Sequence, residues 1–360
     1  MEPNNEALLA SLSRKLRPAM GLPDVSISEP ISETLATFAD SRHRVGPLLH
    51  LACQGRADTE PDRAALLLLK SAYQANVYAS LRQKAVEGKI SELLIKHSVP
   101  FSFLKGRGLA EQLHRDPAAR LSKDVDILVS TDRSSEVIKL MNNNGYIYKS
   151  YGRKPNKRLE LARQDMDIKL FKDLTFFDSN LSVPIELHCR LFKFEPDGLT
   201  NGFHETVKTT PVPSLSNSFY CLYLILHGTL AMWPRLKWLV DLSIMLRKMP
   251  IESRLEMMDI AKSYGCDVAI AASILTTEEI FSGSLDDDWQ SLLEPFRMDG
   301  HLREMQGLYY ECLTANTVSR PSYPLKSRLL SGSADLVFPG KISLLETLLR
   351  RFMNSLAVRI

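Results

Sequence analysis

The stretch that decides the fold reads Arg120-Leu121-Ser122-Lys123-Asp124-Val125-Asp126-Ile127-Leu128-Val129. Its Val, Ile and Leu residues predict a buried β-strand. In an extended strand residues i and i+2 point to the same face, so Asp124 and Asp126 converge. Two carboxylates so close repel each other, and a divalent metal between them relieves that repulsion. The pattern therefore indicates either a metal site or an exposed edge strand whose polar face carries Asp-x-Asp.

A glycine turn lies a short distance upstream of this strand. Pro100 to Leu104 has the character of a short buried strand, and Lys105-Gly106-Arg107-Gly108 interrupts it before a helical stretch, Leu109 to His114. A glycine-containing turn that opens a helix directs backbone N–H groups at whatever lies in front of it, which makes an anion site. A phosphate-binding turn beside a metal-binding strand is what phosphoryl or nucleotidyl transfer requires.

Two cations flank these elements. Lys105 adjoins the glycine turn, and Arg120 precedes the aspartate strand. Lysine contacts a phosphate as a point charge, whereas the planar guanidinium of arginine can contact two oxygens at once. Both side chains are therefore predicted to meet phosphate oxygens. The alternative is that either one neutralises the carboxylates when no metal is present.

Several segments, in a fixed order, resemble a known family. They are Phe103-Leu104-Lys105-Gly106, Asp116-Pro117-Ala118-Ala119-Arg120, Asp124-Val125-Asp126-Ile127-Leu128-Val129, Ile185-Glu186-Leu187-His188-Cys189-Arg190-Leu191, and His227 to Trp233 with Arg235 to Leu242. Together they are similar to the largely uncharacterised bacterial nucleotidyltransferases of the DNA polymerase β-like superfamily. The resemblance implies an α+β fold, in which a mixed sheet of the polymerase β-like nucleotidyltransferase type is flanked by N- and C-terminal helical regions.

The resemblance also implies a set of site residues. Asp124 and Asp126 would hold the metal that carries the triphosphate, and Glu186 would join them at a second metal and help to accept a proton from the attacking hydroxyl. Further along the chain, Lys237 and Asp241 are implied to hold the base, the ribose or the acceptor. Because they lie four residues apart in a predicted helix, the alternative is that they pair with each other on one helix face.

These residues predict a magnesium-dependent nucleotidyltransferase, which moves a nucleoside monophosphate from an NTP to an acceptor and releases pyrophosphate. Mg²⁺ suits a site of carboxylate and phosphate oxygens better than zinc does. Strand alternation places His188 on the face of Glu186, where it is expected to orient that carboxylate or to pack in the strand. The acceptor is expected to be a small molecule, a peptide or a tRNA.

Two other classes of function stay open. One is a nucleotide-binding or protein-interaction module that keeps the fold without turnover. The other is a toxin-like transferase that acts on tRNA or protein. The three carboxylates Asp124, Asp126 and Glu186 argue against the first, because a binder without catalysis does not need the third of them.

Composition limits the partners that this chain is expected to have. The formal net charge of +3 and the pI near 8.5 lie far below the basic excess typical of proteins that bind long nucleic acids. The five cysteines show no C-x-x-C spacing, which favours reduced thiols. The N-terminus lacks the pattern of a secretory signal, and no apolar run reaches membrane-spanning length. The sequence thus predicts a cytoplasmic protein with no membrane contact.

Three regions follow from the change in pattern along the chain. Residues 1–97 form a predicted N-terminal helical region, with helices over 63–88 and 89–97. Residues 98–210 form the predicted nucleotidyltransferase lobe, with a helix over 134–143 and a hairpin made of 158–163 and 166–171. Residues 211–360 form a predicted C-terminal helical lobe, whose helices cover 218–230, 236–248, 252–264, 268–281 and 342–351.

Overall fold

The computed structural model describes residues 4–25, 30–54, 63–149, 164, 168, 172–178, 180–207, 211–318 and 333–342. The chain begins with helices. They are α1 (Asn5–Leu16), α2 (Glu33–Thr37), α3 (Gly46–Cys53) and α4 (Arg63–Lys96). The two helices predicted to meet near Gly88 are one continuous helix, α4. They do not separate because the buried residues Val86, Ile90 and Leu94 form one uninterrupted apolar stripe on its face.

A five-stranded mixed sheet follows, as the α+β prediction requires. Its strands are β1 (Phe101–Phe103), β2 (Val125–Val129), β3 (Tyr146–Tyr148), β4 (Asp173–Asp178) and β5 (Pro184–His188). Their order across the sheet is β1-β2-β5-β4-β3, and β2 and β5 run parallel while the other neighbours are antiparallel. Helix α5 (Arg107–Leu113) follows β1, and α6 (Ser134–Asn143) follows β2.

The predicted hairpin over 158–171 falls largely outside the described residues. Within it the structure describes Gln164 and Ile168, and both are helical, so the strand predicted over 166–171 is wrong at Ile168. The antiparallel neighbour of β5 is instead β4, and β4 in turn pairs with β3. The helix predicted over 342–351 also lies outside the described residues, apart from Ile342, which is not helical.

The two faces of the sheet have different partners. One face belongs to a core in which Val125, Ile127 and Ile185 of the strands pack with α4 and α6. The other face carries Asp126, Glu186 and His188. Leu128, on this second face by strand alternation, belongs to a larger core that also contains residues of the N-terminal and C-terminal helices. The polar residues of the sheet therefore face the helical part of the molecule.

The rest of the described chain is helical. Its helices are α7 (Leu199–Val207), α8 (Ser218–Leu230), α9 (Leu236–Lys248), α10 (Ile251–Ser263), α11 (Asp267–Ile280), α12 (Asp287–Leu293), α13 (Gly300–Thr314) and α14 (Ser333–Val337). The helices predicted between 218 and 281 are confirmed to within one residue at each end. Among the described residues, no helix combines the length and the apolarity needed to cross a bilayer.

Candidate active site

The site is built on the two parallel strands at the centre of the sheet. In the β2–β5 register Asp126 lies opposite Glu186, and Leu128 lies opposite His188. Side chains opposite each other on neighbouring strands share a face, so Asp126 and Glu186 lie side by side and His188 is one row further along. On the far side of β5, Asp173 of β4 lies opposite His188. The register alone therefore brings these four polar side chains together.

Asp126 is the most buried carboxylate of this group, with 2% of its side chain exposed. Its Oδ1 atom lies 3.1 Å from Lys105 Nζ and 3.1 Å from His188 Nε2. Burial alone would raise the pKa of Asp126, but the Lys105 ammonium and the hydrogen bond to His188 outweigh burial and hold it well below its usual value. Asp126 therefore gives up its proton more readily than a free aspartate does, and its negative charge lies against the Lys105 ammonium.

Lys105 supplies that cation in this structure. Its Nζ atom also lies 3.1 Å from His227 Nε2 on α8. Because an ammonium group only donates, the Nε2 atom of His227 accepts, and its proton sits on Nδ1. Burial and the neighbouring Lys105 both hold the pKa of His227 well below its usual value, which keeps the ring neutral. Of the two predictions for Lys105, its arrangement in this structure is the one in which it neutralises a carboxylate, that of Asp126.

Asp124 lies just before β2, half-buried beside this group. Burial and the neighbouring Asp126 carboxylate raise its pKa, while Lys105 opposes them. The two aspartates of the motif are therefore shifted in opposite directions: Asp126 stays ionised, and Asp124 is the member of the pair that accepts a proton more readily. This is the behaviour expected of two close carboxylates when the Lys105 ammonium lies directly against Asp126.

Arg120 and Asp241 form a buried ion pair between the sheet region and the C-terminal helices. Arg120 Nε donates to Asp241 Oδ2 at 2.8 Å, and Nη1 donates to the backbone oxygen of Gly106 at 3.3 Å. Burial would raise the pKa of Asp241, but Arg120, together with His114, whose Nε2 atom lies 3.7 Å from Asp241 Oδ1, lowers it. The guanidinium therefore ties the glycine turn to α9, and Asp241 forms its close ion pair with Arg120 rather than with Lys237.

Lys237 crosses the same boundary from α9. Its Nζ atom donates to the backbone oxygen of Leu121 at 2.8 Å, in the segment that leads into β2. Burial and the nearby Arg120 lower its pKa to about 7. Lys237 is therefore a hydrogen-bond donor that positions the chain just before Asp124, on the side of the site next to the C-terminal helices.

The family can be stated at this point. A model of a family described as uncharacterised nucleotidyltransferase matches residues 33–282, which is more than two thirds of the chain. The chain belongs to this family. No curated protein and no solved structure matches it. The matched range contains the whole sheet and each of the site residues described above, so the family match and the geometry refer to the same part of the molecule.

In this chain, three residues form a group that can hold a metal ion. Asp126, Glu186 and His188 each offer one ligand atom, and those atoms all lie within 4.8 Å of one another. The Oε2 atom of Glu186 is 3.6 Å from His188 Nε2, and 31% of the Glu186 side chain is exposed. The group therefore opens to solvent at Glu186 and is closed at Asp126.

The cavity that Lys105 lines is too small to hold a nucleotide. A cavity of about 30 Å³ lies between α5, α8 and α9, and its polar lining consists of Lys105, Arg120, His227 and Asp241. Ligand pockets for molecules of nucleotide size are roughly ten times larger. This cavity therefore does not have the volume to hold a nucleotide.

Two residues that lie at the site, Asp173 and His227, were not predicted from the sequence as site residues. Asp173 lies in β4, whose alternation of polar Asp173 and Thr175 with buried Leu174 and Phe176 is the signal that could have located the strand. His227 was quoted as part of a helical motif, but nothing in the sequence relates it to Lys105, which lies 122 residues earlier.

Proposed function

We propose that this protein is a Mg²⁺-dependent nucleotidyltransferase of the polymerase β-like superfamily. It moves a nucleoside monophosphate from an NTP to an acceptor and releases pyrophosphate. The observation that carries the proposal is the placement of Asp126 beside Glu186 on adjacent parallel strands, with Asp124 two residues earlier and Lys105 against Asp126. Membership of a nucleotidyltransferase family supports it.

The donor set fits magnesium. Asp124, Asp126 and Glu186 offer carboxylate oxygens, which are the ligands that Mg²⁺ prefers, and Asp126 stays ionised in the folded protein. Asp124 and Asp126 would hold the ion that arrives with the triphosphate, and Glu186 would help to hold a second. Bound there, Mg²⁺ neutralises the charge of the triphosphate and favours ionisation of the attacking group.

The chain's own residues then act on the nucleotide and the acceptor. Lys105 leaves Asp126 and contacts phosphate oxygens, and the backbone at Gly106 lies beside them. Glu186, the most exposed carboxylate of the group, accepts the proton of the acceptor hydroxyl. The acceptor oxygen bonds to the α-phosphorus, and the bond from that phosphorus to the leaving oxygen breaks, so that pyrophosphate departs.

Arg120, Lys237 and Asp241 have roles that the contacts make more specific. Arg120 and Asp241 hold the glycine turn against α9, so they position the phosphate contacts rather than reach the phosphates themselves. Lys237 lies nearer to Asp124, where it is suited to hold the ribose, the base or the acceptor. The acceptor is a small molecule, a peptide or a tRNA in the cytoplasm, and the modest net charge of +3 does not favour a long nucleic acid.

Label transfer tests this function directly. The protein is incubated with each labelled NTP and Mg²⁺, with and without a cell extract that supplies acceptors, and transferred label is measured. Asp124→Asn and Asp126→Asn are each expected to lower transfer by roughly 100-fold or more, since a lost ligand removes several kcal/mol of transition-state stabilisation. Asp132→Asn, in the exposed turn after β2, is the matched control and is expected to keep parental transfer.

The outcomes separate the classes of function. Equal transfer by the parent and both aspartate variants would remove the site from the reaction. NTP binding without transfer in any extract would favour a nucleotide-binding module. Label found on a protein would favour the toxin-like alternative, whereas label on a small molecule would exclude it.

A further inference from the structure

His188 is buried in the centre of the site. Only 1% of its side chain is exposed, and its Nε2 atom lies 3.1 Å from Asp126 Oδ1 and 3.6 Å from Glu186 Oε2. An ion bound through bonds of about 2.1 Å holds adjacent ligand atoms about 3 Å apart. The separations around Nε2 are therefore those of atoms that share one ion.

The other ring nitrogen of His188 supports the same reading. Nδ1 is buried and has no hydrogen-bond partner among the described residues. Across the β4–β5 pair, Asp173 Oδ2 lies 3.9 Å from Nδ1, and the same oxygen pairs with Lys172 Nζ at 2.8 Å. A histidine that ligates a metal through one nitrogen usually presents its other N–H to a carboxylate, which fixes the tautomer and the ring orientation. Asp173 lies where that carboxylate belongs.

The competing interpretation leaves a buried atom unsatisfied. If His188 only donated its Nε2 proton to Asp126, then Nδ1 would be a bare acceptor in the interior, with a carboxylate 3.9 Å away. Such an atom is costly to bury without a donor. With the proton on Nδ1, the N–H is attracted by the Asp173 carboxylate 3.9 Å away, but Nε2 and Asp126 Oδ1 are then two acceptors 3.1 Å apart. A cation between them removes the repulsion.

We infer that His188 Nε2 is a direct ligand of a metal ion shared with Asp126 and Glu186, and that Asp173 is its positioning residue. Imidazole nitrogen favours first-row transition ions over Mg²⁺, so this position takes a divalent first-row transition ion while Mg²⁺ accompanies the triphosphate. The inference rests on the proposed function for the use of the ion in transfer. Binding of the ion requires only the residues themselves.

Mn²⁺ is the probe, because its unpaired electrons report on the atoms bound to it. Mn²⁺ is titrated into the full chain without nucleotide, and pulsed electron paramagnetic resonance is used to detect ¹⁴N coupling. The parent is expected to show a directly bound nitrogen, and His188→Gln is expected to lose it. His227→Gln is the matched control, since His227 is the other imidazole near Lys105, and it is expected to keep the nitrogen signal.

Competition between Mn²⁺ and Mg²⁺ gives a second readout. In the parent Mn²⁺ is expected to bind more tightly than Mg²⁺, and His188→Gln is expected to reduce that preference by about tenfold or more. Asp173→Asn keeps the ligand set and is expected to weaken Mn²⁺ binding by about 10- to 100-fold. The Asp173→Asn variant also tests the inference if His188→Gln does not fold, because asparagine is nearly isosteric with aspartate.

Either of two results would overturn the inference. One is that Mn²⁺ bound to the parent protein shows no ¹⁴N coupling. The other is that His188→Gln and Asp173→Asn both keep the parental preference for Mn²⁺ over Mg²⁺, which would mean that His188 only orients Asp126. Failure of the proposed function looks different. A nitrogen-bound Mn²⁺ in a protein that transfers no label from any NTP would leave the metal site standing and remove the transferase.

Discussion

Glu186 and Asp126 differ in how far solvent reaches them. The Asp126 side chain is 2% exposed and is held by Lys105 and His188, whereas the Glu186 side chain is 31% exposed. A buried carboxylate with a lowered pKa is suited to hold an ion in a fixed place. A more exposed one can contact a group that arrives from solvent. The two carboxylates of adjacent strands therefore have separable roles.

Glu186→Gln should separate binding from chemistry. Asp124 and Asp126 remain to hold the ion that carries the triphosphate, so NTP affinity is expected to stay within about threefold of the parent. Transfer is expected to fall by about 100-fold or more, because the proton acceptor and one ligand are lost. Calorimetric titration with a non-hydrolysable NTP and Mg²⁺ measures the first property, and label transfer measures the second.

The control for this substitution is Glu92→Gln on the exposed side of α4, which is expected to change neither property. A Glu186→Gln protein with full transfer would remove Glu186 from the site. Loss of NTP affinity and transfer together would instead mean that Glu186 holds the triphosphate-bound ion.

Among the elements, the turn between β1 and α5 is the one with a demanding backbone. Gly106 has φ 77° and ψ −136°, a region that L-residues other than glycine rarely adopt. A Cβ there would have room, since the nearest heavy atom would be 3.6 Å away. The requirement for glycine therefore comes from the backbone conformation and not from crowding.

Gly106→Ala is expected to lower the free energy of unfolding by about 1–3 kcal/mol and to weaken NTP binding, because the turn must deform. Gly88→Ala is the matched control, since Gly88 lies inside α4 and a Cβ there would meet no atom within 4 Å. That change is expected to raise the free energy of unfolding by about 0.5–1 kcal/mol. Urea denaturation measures both changes in the free energy of unfolding. If Gly106→Ala and Gly88→Ala changed it by the same amount in the same direction, the turn at Gly106 would carry no strain.

The elements also show what could be predicted from sequence. The helix over 134–143 and those between 218 and 248 follow from apolar periodicity and from stop signals such as Asn144-Gly145, which act locally. Strand alternation likewise placed Asp126 on one face of β2 and put Glu186 and His188 together on β5. These inferences succeed because each depends on residues that are neighbours in the chain.

Contacts between distant residues could not be predicted in this way. Asp241 was expected either to contact a ligand or to pair with Lys237, four residues away, but its ion pair is with Arg120, 121 residues away. The pairing of β5 with β4 was also not predicted, because strand pairing depends on register across the sheet. Single-sequence periodicity reports which face is apolar, and it does not report which distant side chain meets that face.

In the molecule as a whole, the site lies where the sheet region meets the C-terminal helices. The contacts that cross this boundary at the site include Lys105 with His227, Arg120 with Asp241, and Lys237 with the backbone of Leu121. The larger core also spans it, since it contains Leu104 and Leu128 together with residues of α8 and α9. Packing of the helices against the sheet is therefore part of what gives the site its geometry.

Asp241→Asn tests how much this boundary contributes. At pH 7 the substitution leaves the buried Arg120 guanidinium without an anion, and it is expected to lower the free energy of unfolding by about 3–5 kcal/mol. Asp286→Asn is the control: Asp286 pairs with Arg254 at 2.7 Å, but 49% of its side chain is exposed, so a loss of about 1 kcal/mol or less is expected. Urea denaturation at pH 7 compares the two.

The cost of Asp241→Asn should also depend on pH. Because Arg120 lowers the pKa of Asp241 in the folded state, the unfolded chain takes up the proton first as the pH falls. The stabilisation by Asp241 is therefore fully present above the unfolded pKa of 3.8 and is lost as the pH falls towards the lower folded value. The asparagine variant lacks this titration, so its stability is expected to approach that of the parent as the pH falls below about 3.8. A gap that stays constant over this range would mean that the Asp241 charge does not hold the helices to the sheet.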